Sequence, residues 1–350
     1  MDALTDSLTE ALRAALRARR SPWADAPIEP LPDAGLAHAH LRLRGTGVLA
    51  RVPKQSQLDL PAATNLAYQA ACFERAAPSG QVPRLHGVLP PDDHLPRGAL
   101  LVEEIVGRPA RLPQDLPAIV DALAAIHALP LPLPAQRAPL LDAPDPLALL
   151  HAEIEAQALH LDAAALDAAS RRAIDAQRRG FEALLAAPAR PGRRLIAFDA
   201  HPGNFLLRDG RAVLVDLEKA RYSHPPLDLA HATLYTSTTW DRASAAVLGV
   251  DDVAAAGERW LARVGDALAW RAWLVPLRAA MWLWSVTWCA KWRVLSSRAA
   301  RAGGDGEDWS AARSDAALVA HVRERVDDYL SPEGVARVVD ELGELARRAG

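Results

Sequence analysis

Cysteine is almost missing from this chain. Cys72 and Cys289 are the only two in 350 residues. They form no C-x-x-C pair, which excludes a zinc knuckle and a disulfide framework and points to a reducing cytoplasm. Lysine is scarce as well. Lys54, Lys219 and Lys291 are the three in the chain, and every other basic residue is arginine. Against that bias, a lysine marks a place where a compact ammonium is needed. Asparagine occurs only at Asn65 and Asn204. An excess of one charge is also absent: 40 Lys and Arg against 43 Asp and Glu leave a net charge of −3. A dedicated nucleic-acid binder would carry a strongly basic face. Long hydrophobic runs are missing too. Residues 279–290, bounded by Arg278 and Lys291, fall short of the ~20 residues a bilayer span needs, so no membrane partner is expected.

Asp2, Asp6 and Glu10 interrupt what would be the basic region of a signal peptide. Leu4, Leu8 and Leu12 instead recur at helical spacing, and Ser7 with Glu10 suits a capping box, so residues 1–21 read as an amphipathic helix. Residues 36–54 alternate apolar and polar around Gly45-Thr46-Gly47, the pattern of two strands and a tight turn. A helix is expected over 62–77, ended by Pro78-Ser79-Gly80. Short strands at 84–89 and 99–105 flank the proline-rich segment PPDDHLPRG. After Gly107 the chain turns helical. A helix over 116–129 leads to a proline-rich connector, then to two alanine-rich helices between 147 and 187. A strand-rich island follows at 194–216, and the remainder is helical and carries most of the tryptophans.

That island reads LIAFDAHPGNFLLRDGRAVLVDLEKA. Asp199 and Asn204 stand five apart across Pro202-Gly203, and Asp216 follows twelve residues later. Arg208-Asp209-Gly210 is a hairpin signal. A three-residue loop with Gly210 left-handed would pair Leu207 with Arg211 and set Asn204 opposite Leu214. Asp216 would then be its diagonal neighbour on the same face. An amide oxygen beside a carboxylate suits Mg²⁺ together with substrate phosphates. Asp199 at the same mouth is free to accept a proton. Phosphoryl transfer needs this set, plus a lysine on a small-lobe strand, and Lys54 ends the second predicted strand.

The motifs FDAHPGNFLL, VLVDLEKA and PPLDLA resemble the phosphotransfer core of the aminoglycoside phosphotransferase and choline kinase superfamily. The similarity runs from about Pro30 to Tyr235. It implies a two-lobed α+β protein-kinase-like fold, with a small antiparallel-sheet N-lobe over 22–105 and a mainly helical C-lobe over 106–350. It implies Asp199 as catalytic base, Asn204 and Asp216 as magnesium ligands, His201 as the His of H-P-G-N, and Asp228 as a later structural Asp. LLVEEIVGRP resembles the hinge, which makes the backbone from Glu103 to Ile105 the adenine contact. The helix carboxylate that pairs with the lysine usually lies near Tyr68 or Gln69. Glu74 is the only acid between Asp59 and Asp92, so it is the candidate. Ala197 stands where the family has His, and Phe198 where it has a small residue.

The activity so implied is transfer of the γ-phosphate of ATP, with GTP as a second candidate donor, to a hydroxyl of a small molecule, using Mg²⁺. The alternative is a nucleotide-binding pseudokinase that acts as a sensor or scaffold. The interval from Asp216 to Asp228 has no A-P-E and is too short for a protein-substrate platform. Trp284, Trp288 and Trp292 share a helix face, as do Trp270 and Trp273. A helix-bundle core is favoured there over an aromatic cage for a cation. Lys291, beside that stripe, disfavours a cationic substrate. The sequence carries no signature of oligomeric state.

Overall fold

The computed structural model describes residues 2–32, 35–300 and 306–349. Helix α1 (Asp2–Ala18) precedes a five-stranded antiparallel sheet made of β1 (Ile28–Pro30), β2 (His38–Leu43), β3 (Val48–Pro53), β4 (Leu85–Leu89) and β5 (Ala99–Glu103). Its strand order is β1-β2-β3-β5-β4. Helix α2 (Ala62–Ala76) connects β3 to β4. Since α1 begins at Asp2, Ser7 and Glu10 lie inside the helix, and the expected capping box is not at its start.

Strand alternation sorts this sheet into two faces. Leu41, Leu43, Val48, Ala50, Val52 and Leu101 point to one face and pack under Leu12 and Leu16 of α1. Leu100 and Val102 point to the other, against Cys72 and Phe73 of α2. His40 is paired with Arg51 across β2 and β3. Both therefore share the α2 face, with His38 two residues before His40.

The second lobe starts with β6 (Arg108–Pro109) and α3 (Leu116–His127), then α4 (Pro146–Ala158) and α5 (Ala168–Ala186). Strands β7 (Arg194–Ile196), β8 (Phe205–Arg208), β9 (Arg211–Leu214) and β10 (Arg221–Ser223) follow. They form two small sheets, β6-β8-β9 and β7-β10. The remainder is helical: α6 (Pro226–Thr233), α7 (Tyr235–Thr238), α8 (Val250–Val264), α9 (Ala267–Arg271), α10 (Leu274–Leu295), α11 (Ala316–Tyr329) and α12 (Pro332–Ala349). The α10 helix is the axis of a bundle in which Met281, Leu283 and Val286 meet Leu150, Ile154, Ile174 and Val326. One continuous apolar cluster runs from Phe73 and Leu100 through Ile119 and Leu123 to Phe205 and Leu214, so the two lobes share a core. No helix among the described residues is long and apolar enough to cross a membrane.

Candidate active site

The loop after β7 is held from below by one carboxylate. Asp228 on α6 is fully buried. It accepts hydrogen bonds from the backbone N–H groups of Ala197 and Phe198, both at 2.7 Å. It is also 3.1 Å from His127 Nε2. Trp260 Nε1 donates to His127 Nδ1 at 3.0 Å, so the proton facing Asp228 is the one on Nε2. Phe198 sits at φ +62°. That conformation costs a bulky residue about 1–3 kcal/mol, which explains why a small residue suits the position. The two N–H bonds offset this strain, as does the Arg221 guanidinium 3.7 Å over the Phe198 ring. Asp228→Ala would strand three buried donors, so the denaturation midpoint should correspond to a loss of about 3 kcal/mol or more.

Asp199 follows directly and lines a cavity of about 330 Å³ together with Asn204, Asp216, Lys219 and Arg51. The hairpin that carries Asn204 and Asp216 differs from expectation. Phe205 pairs with Leu214 and Arg208 with Arg211, so the loop has two residues. Asp209 (φ +51°) and Gly210 (φ +75°) are both left-handed, as a type I′ turn requires. Strict alternation would then separate Asn204 from Asp216, yet both reach the same cavity. The reason is that neither lies in the ladder. Asn204 closes the 3₁₀ turn Pro202–Asn204, and Asp216 follows the end of β9. In that turn a Cβ on Gly203 would lie 2.5 Å from Asp241 Cβ, so only glycine fits. Asn204 Nδ2 donates to the Asp199 carbonyl at 2.8 Å, which turns its amide oxygen outward.

Lys219 Nζ lies 2.7 Å from Asp199 Oδ2. Burial pushes the Asp199 carboxyl up. The Lys219 ammonium and the two neighbouring histidines more than offset that, and the group lies below the usual carboxylate range. Asp199 is thus ionised, anchored through one oxygen, and open to the cavity through the other.

The expected pair of Lys54 and Glu74 does not form. No ion pair joins them, and Glu74 is on the exposed face of α2. Lys54 follows Pro53 and lines a smaller cavity with Trp288, Trp292 and Trp309. Strand parity explains this. Val52 belongs to the α1 face, and it is Arg51 that points into the cleft. Arg51, only 4 % exposed, donates to Asp216 Oδ1 and to the Val215 carbonyl, both at 2.7 Å. On α2, Gln69 stands at the level where a carboxylate was expected, and its Oε1 is 3.0 Å from His38 Nε2. The cleft cation is therefore an arginine tied to Asp216. Its signal was a charged residue in the apolar stretch VLARV, which the abundance of arginine concealed.

Glu218 adds a further buried carboxyl. Burial and the neighbouring Asp216 raise its pKa to about 8, and Gln57 donates to it at 2.8 Å. Asp216 is pulled the other way: burial raises it, but the surrounding charges, Arg51 the largest of them, together outweigh that and hold it ionised. The cleft histidines stay neutral, because burial lowers His38 and His231 each to about 4. The sign for stability follows. The folded state resists protonating these rings, so their neutral forms support folding above the ordinary value of 6.5, and that support is lost as pH falls toward 4. For His231 the loss between pH 7 and pH 5 is about 2 kcal/mol. The His231→Gln variant should therefore show a shallower fall of unfolding midpoint over that interval than the parent chain.

At the hinge, Glu103 is engaged with Arg208 at 2.7 Å, and its N–H donates to the Arg84 carbonyl. The Glu104 N–H donates to the Gly47 carbonyl. Ile105 follows the end of β5 with its side chain buried. Trp284 and Trp288 also depart from expectation: rather than filling only the bundle core, they line the cavity above Asp199.

The donor chemistry fits a hard divalent cation. Asn204 offers an amide oxygen, Asp216 an ionised carboxylate, and both face a space large enough for phosphates. No curated protein matches the chain. Among solved structures, a choline/ethanolamine kinase family protein from Mesorhizobium loti is similar at 18% identity and a TM-score of 0.60, covering 96% of this chain and 99% of that one. The GDP complex of an aminoglycoside 2'-phosphotransferase-IIIa is similar at 15% identity and a TM-score of 0.57, over 94% and 99% of the two chains. Choline kinase LicA from Streptococcus pneumoniae follows at 12% identity and a TM-score of 0.53, over 95% and 99%. These likenesses establish the two-lobed kinase-like fold. Residues 41–273 match the model of the APH phosphotransferase enzyme family, and with more than half of its length so matched the chain belongs to that family.

Proposed function

We propose that the chain transfers the γ-phosphate of ATP or GTP to a hydroxyl group of a small molecule. The observation that carries this reading is Asp199. It is ionised and pinned by Lys219 at one oxygen, and it sits at the mouth of a cavity that also holds Asn204, Asp216 and Arg51. In this reading Asp199 orients the acceptor hydroxyl and takes its proton. Asn204 and Asp216 would hold Mg²⁺, which when bound screens the charge of the phosphates. Arg51 replaces Lys54 as the cation gripping the phosphate chain, and its planar fork suits two phosphate oxygens. The backbone of Ile105 makes no hydrogen bond to a described residue, leaving an N–H and a carbonyl for an adenine or guanine edge. Because the transition state is loose, positioning and electrostatics account for most of the rate.

The kinase of similar fold that was solved with GDP makes GTP a necessary arm of the test. Nucleoside diphosphate release should be followed for ATP and GTP against pools of hydroxylated metabolites and antibiotics, with and without Mg²⁺. Magnesium-dependent release with one pool, lost in Asn204→Ala and Asp216→Ala, supports the assignment. Tight nucleotide binding with no release in any pool favours a pseudokinase that senses nucleotide.

A further inference from the structure

Lys219 donates to Oδ2 of Asp199 and leaves Oδ1 open. His231 Nδ1 lies 3.8 Å from that open oxygen, beyond hydrogen-bond reach. His231 is only 7 % exposed and lines the same cavity. Its Nδ1 is buried and has no hydrogen-bond partner among the described residues. A buried polar atom without a partner is costly in the isolated protein and marks a place where a ligand supplies the missing bond.

The fold sets this spacing. His231 stands three residues after Asp228 on α6, so the two share one face of that helix. Asp228 holds the N–H groups of Ala197 and Phe198, directly before Asp199. One helix turn therefore fixes the loop and the imidazole together. His201 is placed differently. Its ring meets His231 edge-on at 6.2 Å, and it forms no ion pair with a described residue.

Two atoms 3.8 Å apart can share a third. An oxygen about 2.8–2.9 Å from each sits between them at ordinary hydrogen-bond lengths. Burial keeps the imidazole neutral. A neutral ring beside a carboxylate carries its proton on the nearer nitrogen, because the N–H dipole then points at the anion. A hydroxyl oxygen has one hydrogen and two lone pairs. Its hydrogen suits Asp199 Oδ1, one lone pair suits the Nδ1–H, and the other is left for phosphorus.

We propose that His231 is a further catalytic residue: its Nδ1–H and Asp199 Oδ1 clamp the hydroxyl oxygen of the acceptor from two sides. This rests on the phosphotransfer reading. In the step, the clamped oxygen forms its bond to the γ-phosphorus as the bond from the β,γ-bridging oxygen breaks. The hydroxyl proton passes to Asp199 Oδ1, and the electron pair of the broken bond leaves with the nucleoside diphosphate. His231 neither gains nor loses a proton. The clamp grips the oxygen alone, so it serves every hydroxyl acceptor, water included.

The test measures phosphate transfer from γ-labelled ATP and GTP with Mg²⁺ by the full chain, with water alone and with pools of hydroxylated compounds as acceptors. His231→Leu should lower the rate about tenfold with each acceptor the parent uses, the range for one lost hydrogen bond, with the nucleotide KM within about twofold. His231→Asn, whose amide N–H reaches the place of Nδ1, should recover the rate to within about threefold of the parent. A loss of packing alone would lower the melting temperature and raise the nucleotide KM in both variants. Nitrogen NMR of the imidazoles adds a readout without turnover. With Mg²⁺ and a non-hydrolysable ATP analogue bound, the His231 signal, assigned by its absence in His231→Asn, should show the proton on Nδ1. While the parent transfers phosphate, a His231→Leu rate within about twofold of the parent, a loss that His231→Asn does not recover, or a proton on Nε2 overturns the clamp and leaves the phosphotransfer reading standing. No transfer by the parent to water or to any pool refutes that reading and the clamp with it.

Discussion

Asp199→Asn is expected to lower the rate of phosphate transfer about a thousandfold, within the range for loss of a general base. The argument is electrostatic and geometric at once. The carboxylate is kept ionised by Lys219, and one oxygen remains toward the cavity. An amide of the same shape keeps the space filled but takes no proton. Nucleotide affinity should change little, because in this reading Asp199 meets the acceptor hydroxyl and not the phosphate chain. Stability should fall, since Lys219 is only 8 % exposed and loses its counterion. Breaking one side of a buried pair costs about 3–5 kcal/mol. The double variant Asp199→Asn with Lys219→Met removes both charges and should recover much of the melting temperature but none of the rate. A double variant as unstable as the single one would show that Lys219 is not held by Asp199.

The second large effect is expected at Arg51. Arg51→Met should raise the KM for the nucleotide about tenfold or more, the range for a lost hydrogen bond to a charged partner. It should also destabilise the apo protein, because Asp216 and the Val215 carbonyl each lose a bond at 2.7 Å. Lys54→Met, three residues away, should leave the same KM within about twofold, since its side chain is directed to another cavity. Steady-state kinetics with saturating acceptor separates the two. A large effect at Lys54 and a small one at Arg51 would reverse the assignment.

The contrast between these two residues shows how far the sequence could be read. The lobes were legible because alternation and helical spacing act locally. The strands around Gly45-Thr46-Gly47, the helix after Ala62 and the strand-rich island at 194–216 all fall where the pattern placed them. The two turns of the island were legible because the turn chemistry of Pro202-Gly203 and of Asp209-Gly210 is local too. Register was not. A two-residue turn replaced the expected three, and Asn204 and Asp216 meet only because both lie beyond the ladder ends.

Residue rarity pointed to Lys54, which lines the smaller cavity. In this arginine-rich chain the cation beside Asp216 is Arg51, and only its place among Val48, Leu49, Ala50 and Val52 sets it apart. Lys219, another of the three lysines, is paired with the distant Asp199. Glu74 was selected for its charge alone. The position that faces the cleft from α2 is Gln69, a neutral side chain that steadies His38. Contacts of this kind join residues far apart in sequence, and no local pattern encodes them. The buried series Trp260, His127 and Asp228 is another case: only the last of the three was anticipated, and only through resemblance.

The most direct test of the central claim is label transfer from γ-labelled ATP and, in parallel, GTP to pooled hydroxylated compounds with Mg²⁺, run for the parent chain and Asp199→Asn. The account predicts label in an organic phosphate ester from at least one pool with the parent chain, reduced about a thousandfold in the variant. Equal labelling by both proteins would remove Asp199 from the reaction. No labelled ester from any pool, with nucleotide bound tightly by both proteins, would contradict phosphoryl transfer altogether.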